Sequence, residues 1–375
     1  MKQNLNLTSS PIKSLLFKIA VPSMTGSLFQ TLFTIIDTFY AGKISSEALA
    51  ALAKAFPLYF LIVSAGIGIV AGCNSLIANA IGSKNTVLAS IYSYHAVIYA
   101  VLLSVFITFV GIFFSDELLK SMGSSTKSVI LSKEYLDIIF YGTIIFLILT
   151  AFNSILYAQG DTKTYRNVLF FGVIANIILN PIFIFGFLFI PAFGIAGLAI
   201  STLMIQFAAC VYVFYKVNKT SLKIILKFSN FLIKRNFLLN IFNQCMPITM
   251  ALFLVAVGSY ILLSFISVFG DQAIAGYGSA VRFEHLFSLP VIGLNTAVIS
   301  IAGQNFGARR YDRIKEVYFS AIFIGFIIMC LSGILIFLFA EIIISIFSTD
   351  LEVIKYGSTY LKIAAFIGPI YPVFF

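Results

Sequence analysis

Ten stretches of this chain are apolar for about the length of a bilayer crossing, which removes most folds at once. They run over about 15–40, 48–80, 88–114, 135–159, 167–189, 194–216, 243–268, 273–304, 313–340 and 354–375. A helix rises ~1.5 Å per residue, so ~20 residues cross the ~30 Å of hydrocarbon. None of the stretches alternates with the period of two expected of a barrel strand, and all exceed strand length, so the backbone must satisfy its hydrogen bonds as helix. The sequence therefore predicts an all-α, polytopic integral membrane protein. With 60% hydrophobic and 10% charged residues, the composition lies far from the roughly 45–50% and ~25% of soluble domains.

The formal net charge of +10 suggests a nucleic-acid partner, but its distribution argues against one. If the N-terminus is inside, 16 of the 24 Lys and Arg fall on inner segments, six of them between Lys216 and Arg235, and five on outer loops. That bias places the N-terminus in the cytoplasm of a plasma-membrane protein. The first apolar run is too long for a cleavable signal and contains Lys18 and Pro22. Cys73, Cys210, Cys245 and Cys330 lie scattered within spans and form neither a metal nor a disulfide pattern. There is no P-loop, HExxH or nucleophile–base motif, so the chain reads as neither an ATP-driven pump nor an enzyme.

Sliding the sequence on itself by 225 positions aligns Pro22 with Pro247, Gly68 with Gly293, Ser75 with Ser300, Gly82 with Gly307 and Tyr135 with Tyr360. Six spans precede the basic linker, and an even number returns the chain to its starting side, so the two copies run parallel. The expected organisation is an N-terminal lobe over 1–217, a cytoplasmic linker over 218–242 and a partial second lobe over 243–375. That amounts to about ten of twelve spans, as in a fragment or a truncated reading frame.

Asp37 lies inside the first apolar run. A carboxylate at the centre of a spanning helix costs roughly 2.5–3.5 kcal/mol on insertion scales, so a chain that keeps one is expected to use it. Because burial penalises charge, the residue is expected to gain and lose a proton as its surroundings change. One charge moving down 100 mV is worth about 2.3 kcal/mol, a scale adequate for modest uphill export without ATP. A structural alternative has Asp37 near the outer end of the span, reaching water or capping a neighbour.

Five segments carry a family resemblance: VPSMTGSLFQTLFTIIDTFYAGKISSEALAALA (Val21–Ala53), ILYAQGDTKTYRN (Ile155–Asn167), NIILNPIFIFGF (Asn176–Phe187), GIAGLAIST (Gly194–Thr202) and GLNTAVISIAGQNFGARRYDRIKE (Gly293–Glu316). In this order and spacing the chain resembles the multidrug and toxic compound extrusion (MATE) family. The resemblance implies two six-helix lobes in a V, alternating access, and export of amphipathic or cationic compounds in exchange for H⁺ or Na⁺. It places the coupling ion in an N-lobe pocket at Asp37, Asn176 and Thr202. Gln30 and Asn153 match polar pocket positions, and a bend at Pro22 is expected to accompany protonation. Many relatives carry Asp where this chain has Asn180. Asn176 and Asn180, at i and i+4, share a helix face and can both meet Asp37, but loss of the second acid weakens a Na⁺ cage and favours H⁺. The acids that some relatives carry in spans 7 and 10 look absent, so coupling is expected to run through the first lobe.

The remaining polar residues leave alternatives open. Glu284 is either a second titrating site in the C-lobe cavity or a structural partner of Lys54 or Lys362. Arg282 and Tyr40 are cavity candidates alongside it. His95 and His285 read as satisfied helix residues. No cofactor and no nucleic acid are expected; the partners are small-molecule drugs or organic cations and the lipid bilayer, for a monomer. The competing functional readings are a lipid-linked oligosaccharide flippase of the same superfamily and a non-functional truncated remnant.

Overall fold

The computed structural model describes residues 6–121, 126–222, 234–266, 269, 271–346 and 351–374. Ten helices follow the ten apolar stretches: α1 (Ile12–Ile44), α2 (Ser46–Gly82), α3 (Thr86–Ser121), α4 (Thr126–Ala158), α5 (Lys163–Phe185), α6 (Ile195–Asn218), α7 (Arg235–Ile266), α8 (Asp271–Gly307), α9 (Tyr311–Ser345) and α10 (Leu351–Ile367). Among the described residues, nine are long and apolar enough to cross a membrane. The tenth differs from the single span expected over 354–375. α10 has 17 residues and gives way to a 3₁₀ turn at Gly368–Ile370 and a short α11 (Tyr371–Phe374). Pro369 lies in that turn, where its missing N–H interrupts the helical ladder. α7 begins at Arg235, inside the expected linker, of which residues 223–233 lie outside the described residues.

Short polar residues set the helix starts. Ser45 accepts from the Ala48 amide (3.0 Å) at the head of α2, and Asn85 accepts from Leu88 (2.9 Å) at the head of α3. In the turn before α5, Gly160 takes φ +79°, which suits glycine, and Asp161 accepts from the Thr164 amide (3.0 Å) and hydroxyl (2.6 Å).

The helix boundaries keep the register of 225. α2 and α8 both have 37 residues and start at 46 and 271. α3 and α9 start at 86 and 311, and α4 and α10 at 126 and 351. Within the first half, α4 packs on α2, α3 and α6, while α5 packs on α1 and α6. The two halves meet crosswise: α1 lies on α8, α7 lies on α2, and α2 crosses α8.

The side-chain contacts described between the halves gather at one end of the bundle, where α1 and α7 begin and α2 and α8 finish. Ser23 donates to Thr296 (3.2 Å), Asn74 to Ser300 (3.2 Å), and Gln304 to the Ala158 carbonyl (2.7 Å). Cys73 and Cys245 bring their sulfurs to 4.0 Å. A dry cluster of Leu7, Ile12, Leu16 and Ile19 against Leu294, Ala297 and Ile301 seals the same end. The segment ahead of α1 is tied down there: Asn305 donates to the Leu7 carbonyl (3.0 Å), Arg310 to Thr8 (2.8 Å) and Arg313 to Ser10 (2.7 Å). At the crossing of α2 and α8 the contacts are reciprocal. A methyl group on Gly82 would overlap the Gln304 carbonyl, and one on Gly307 would overlap the Asn79 carbonyl. Residues 79 and 82 correspond to 304 and 307 in the 225 register, so the crossing has local two-fold symmetry.

Candidate functional site

α1 runs unbroken past Pro22 and carries Asp37 to a buried position, 8% exposed, against α5. On α5, Asn176 and Asn180 lie one turn apart on the face toward α1, and both are fully buried. Asn176 Nδ2 donates to Asp37 Oδ1 at 2.8 Å, and Asn180 Nδ2 donates to the same oxygen at 2.9 Å and to Asn176 Oδ1 at 3.0 Å. Ser201 of α6, also fully buried, donates to Asn180 Oδ1 and lies 3.0 Å from the Leu198 carbonyl. Three helices thus converge on one carboxylate, and each amide oxygen of the pair accepts from a neighbour while the amide nitrogens face the acid. Hydrogen bonds to a charged group are worth about 1.5–3 kcal/mol each. Two of them are of the size needed to offset the roughly 2.5–3.5 kcal/mol cost of a carboxylate within a spanning helix.

The surroundings of this cluster are aromatic. Tyr40, one turn from Asp37, donates from its hydroxyl to the Ile177 carbonyl of α5 at 3.1 Å and so fastens α1 to α5 next to the acid. Tyr59 of α2 and Tyr135 of α4 stand within electrostatic reach of Asp37. Tyr59 meets Phe146 edge-on at 6.2 Å between ring centres.

The predicted site residues separate into groups. Asp37, Asn176 and Asn180 come together. Thr202 is buried beside them, but its hydroxyl finds no hydrogen-bond partner among the described residues; Ser201, absent from the sequence-based expectation, holds Asn180 instead. Asn153 is 2% exposed inside α4, beside Tyr157. Gln30 is partly exposed on α1, two turns before Asp37. The side chain of Arg282 lies outside the described residues. Glu284 sits in the second half, where it accepts from the hydroxyls of Tyr360 (2.7 Å) and Tyr371. Of the two lysines offered as structural alternatives for Glu284, Lys362 is held by Glu341 at 2.8 Å. Pro22 is buried where α1 crosses α8, one residue before the Ser23–Thr296 contact. His95 is satisfied structurally, with Nδ1 against the Ile91 carbonyl (2.8 Å) and Nε2 accepting from the Lys234 amide (3.1 Å). Ser201 was hard to find because one serine in an apolar helix reads as packing; its i+21 relation to Asn180 exists only once α5 and α6 fold together.

Among the described residues, no three His, Cys, Asp or Glu side chains gather as a metal-binding group. The cluster combines one acid with hydrogen-bonding amides and hydroxyls. Such a set can hold a carboxylate in either protonation state, but it brings no nucleophile–base pair for bond cleavage.

The comparisons with known proteins agree with this architecture. The chain is similar to the probable multidrug resistance protein YoeA of Bacillus subtilis (strain 168), at 28% identity over 92% of this chain and 75% of that protein. It is similar to an FAD transporter of Shewanella oneidensis, at 26% identity over 97% of this chain and 80% of the relative. Among solved structures, an outward-facing multidrug resistance MATE family transporter of the MOP superfamily superposes with a TM-score of 0.90 at 26% identity, covering 99% of this chain and 82% of that one. The MatE family model matches residues 22–182 and again 247–375, beginning at Pro22 and at Pro247. With two copies of one family pattern wrapped around a membrane-spanning bundle, the chain belongs to the MatE family of multidrug efflux transporters and is a multi-pass membrane protein, not an enzyme.

Proposed function

We propose that the chain exports amphipathic or cationic small molecules by antiport against protons, with Asp37 as the proton-carrying group. The observation that carries this reading is the convergence of Asn176 and Asn180 on a single Asp37 oxygen in a buried setting, with no second acid beside it among the described residues. A lone carboxylate with amide N–H donors turned toward it is a poor cage for Na⁺, which needs oxygen ligands. It suits a group that alternates between a hydrogen-bonded anion and a neutral acid.

The coupling follows from where the halves touch. With the N-terminus in the cytoplasm, the closed end of the bundle is the inner one, so this conformer faces outward. A proton from outside reaches Asp37 and neutralises it, removing the charge that its two amide partners stabilise. α1 is then free to shift against α5, and Pro22, lying where α1 crosses α8, is the natural place for the bend. Movement there loosens the Ser23–Thr296 contact and the inner seal. The aromatic wall of Tyr40, Tyr59 and Tyr135 offers faces attractive to hydrophobic cations.

Asp37→Asn in proteoliposomes should reduce proton-driven efflux to the level of empty vesicles while the protein still inserts and folds. Replacing external Na⁺ with choline should leave efflux unchanged at acidic outside pH. Unchanged efflux in Asp37→Asn would remove Asp37 from the mechanism, and a strict Na⁺ requirement would overturn the proton assignment.

A further inference from the structure

Two of the four cysteines meet across the two halves, which nothing in their spacing announces. Cys73 of α2 and Cys245 of α7 are 172 positions apart in the chain, yet their sulfurs lie 4.0 Å apart, and each residue is 1% exposed. The backbones are close as well. A methyl group on Gly72 would overlap the Cys245 sulfur and amide nitrogen, and one turn earlier a methyl on Gly68 would overlap the Thr249 hydroxyl and the Cys245 carbonyl. α2 and α7 are therefore in close contact at the level of the pair. Cys210 of α6 and Cys330 of α9 are free and half-buried.

The repeat shows what packing requires of this seat. Shifted by 225, Cys245 corresponds to Ala20 of α1 and Cys73 to Val298 of α8. Gly68 corresponds to Gly293, and a methyl on Gly293 would overlap the Ala20 carbonyl just as one on Gly68 would overlap that of Cys245. The same crossing is thus built twice, once with an alanine and a valine and once with two thiols. Small apolar side chains satisfy it, so packing alone does not account for sulfur on both sides.

We propose that Cys73 and Cys245 are a redox-sensitive modification site, where a disulfide staples the two halves in the conformer closed at this end. The proposal rests on the reading of the chain as an alternating-access exporter, because a staple acts only on halves that separate. A disulfide holds its sulfurs at ~2.05 Å, so the two side chains must close a gap of about 2 Å by rotating toward each other. The oxidant is a small peroxide. When the closed end opens, one thiol meets hydrogen peroxide and becomes a sulfenic acid, with release of one water. On closure the second thiol attacks the sulfenyl sulfur. The S–S bond forms, the S–O bond breaks, and the hydroxide leaves with the thiol proton as a second water. The two thiols lose two electrons and the peroxide gains them. Reduction requires a thiolate to reach one of the sulfurs, and the closed seam hinders that approach. The staple therefore outlasts the pulse of peroxide that made it.

The test reads the bond first and transport second. Full-length protein carrying Cys210→Ala and Cys330→Ala is treated with hydrogen peroxide in nanodiscs, denatured, alkylated, digested and analysed by mass spectrometry. A peptide pair linked through Cys73 and Cys245 should appear, and prolonged dithiothreitol should separate it. Deuterium uptake in the last turns of α2 and α8 should fall on oxidation. In proteoliposomes, peroxide should abolish efflux and dithiothreitol should restore it. Cys73→Ala and Cys245→Ala should each export at the untreated rate with or without peroxide; Ala20 in the equivalent seat indicates that the fold accepts such a side chain. The proposal is overturned if both thiols alkylate in full after peroxide, or if they oxidise separately to sulfinic acids. It is equally overturned if the linked protein exports, or takes up deuterium, as the reduced protein does. If Asp37→Asn left efflux unaltered, the proton reading would fall, while the linked peptide and the deuterium uptake would still decide this one.

Discussion

Asp37 and Glu284 are the same chemical group in two halves built on one pattern, yet their settings differ. Asp37 is almost fully buried and held by amides from α5, with Ser201 of α6 behind them. Glu284 is half-buried and held by phenols from α10 and α11. The amide partners come from the fifth helix of a half, backed by a hydroxyl from the sixth, and the phenol partners from the fourth. The first acid is thus tied to two helices that close around it, and the second to a wall on one side. The comparison teaches that a repeat can preserve the location of a charge while replacing both its carrier and its donors. What the fold fixes is the helix crossing; the depth of burial and the hydrogen-bond chemistry are free to vary.

The largest expected effect comes from disturbing what the halves share. Gly82→Val and Gly307→Val each place atoms where a carbonyl of the opposite half lies. Overpacking of this kind costs about 1–3 kcal/mol, or roughly five- to 150-fold in the population of the conformer closed at this end. Spin-label distances between the starts of α2 and α8, at the end of the bundle away from this crossing, should shorten by similar amounts in both variants. A response confined to one variant would break the symmetry of the crossing.

A smaller and more selective effect is expected at Asn180. Asn180→Asp adds a second acid to the first site only, completing an oxygen-rich set with Asp37, Asn176 and the unpartnered hydroxyl of Thr202. Efflux should become stimulated by external Na⁺, measured as the ratio of rates in sodium and choline media. An unaltered ratio would mean that Thr202 and the amides cannot turn toward a cation. The smallest effect belongs to Ser201→Ala. The lost hydrogen bond is worth about 0.5–1.5 kcal/mol, so efflux should persist with its half-activating pH moved by about one unit or less. Complete loss of efflux would show that Ser201 does more than hold Asn180.

Much of the architecture was legible because it rests on periodicity and length. The apolar stretches predicted the helices, and the register of 225 anticipated the starts of α8, α9 and α10. Asp37, Asn176 and Asn180 were legible as a group, since i and i+4 spacing fixes a shared face and a carboxylate in an apolar run stands out. Three features were not. Tyr360 and Tyr371 are two of 18 tyrosines, and nothing local marks them as partners of an acid on another helix. The end of α10 was misread because Pro369 lies in an otherwise apolar run, where composition does not reveal the break. The tie of Leu7, Thr8 and Ser10 to the end of α8 and the start of α9 uses backbone carbonyls, which every residue carries, across about 300 positions.

The paired contacts of Gly82 and Gly307 have a kinetic consequence. Because each glycine seats a carbonyl of the other half at the same crossing, separation of the helices at one contact loads the other. In the antiport mechanism proposed above, a gate of that kind leaves no ajar state for ions to slip through unaccompanied, and tight exchange would follow from geometry at the crossing as much as from the acid some distance away.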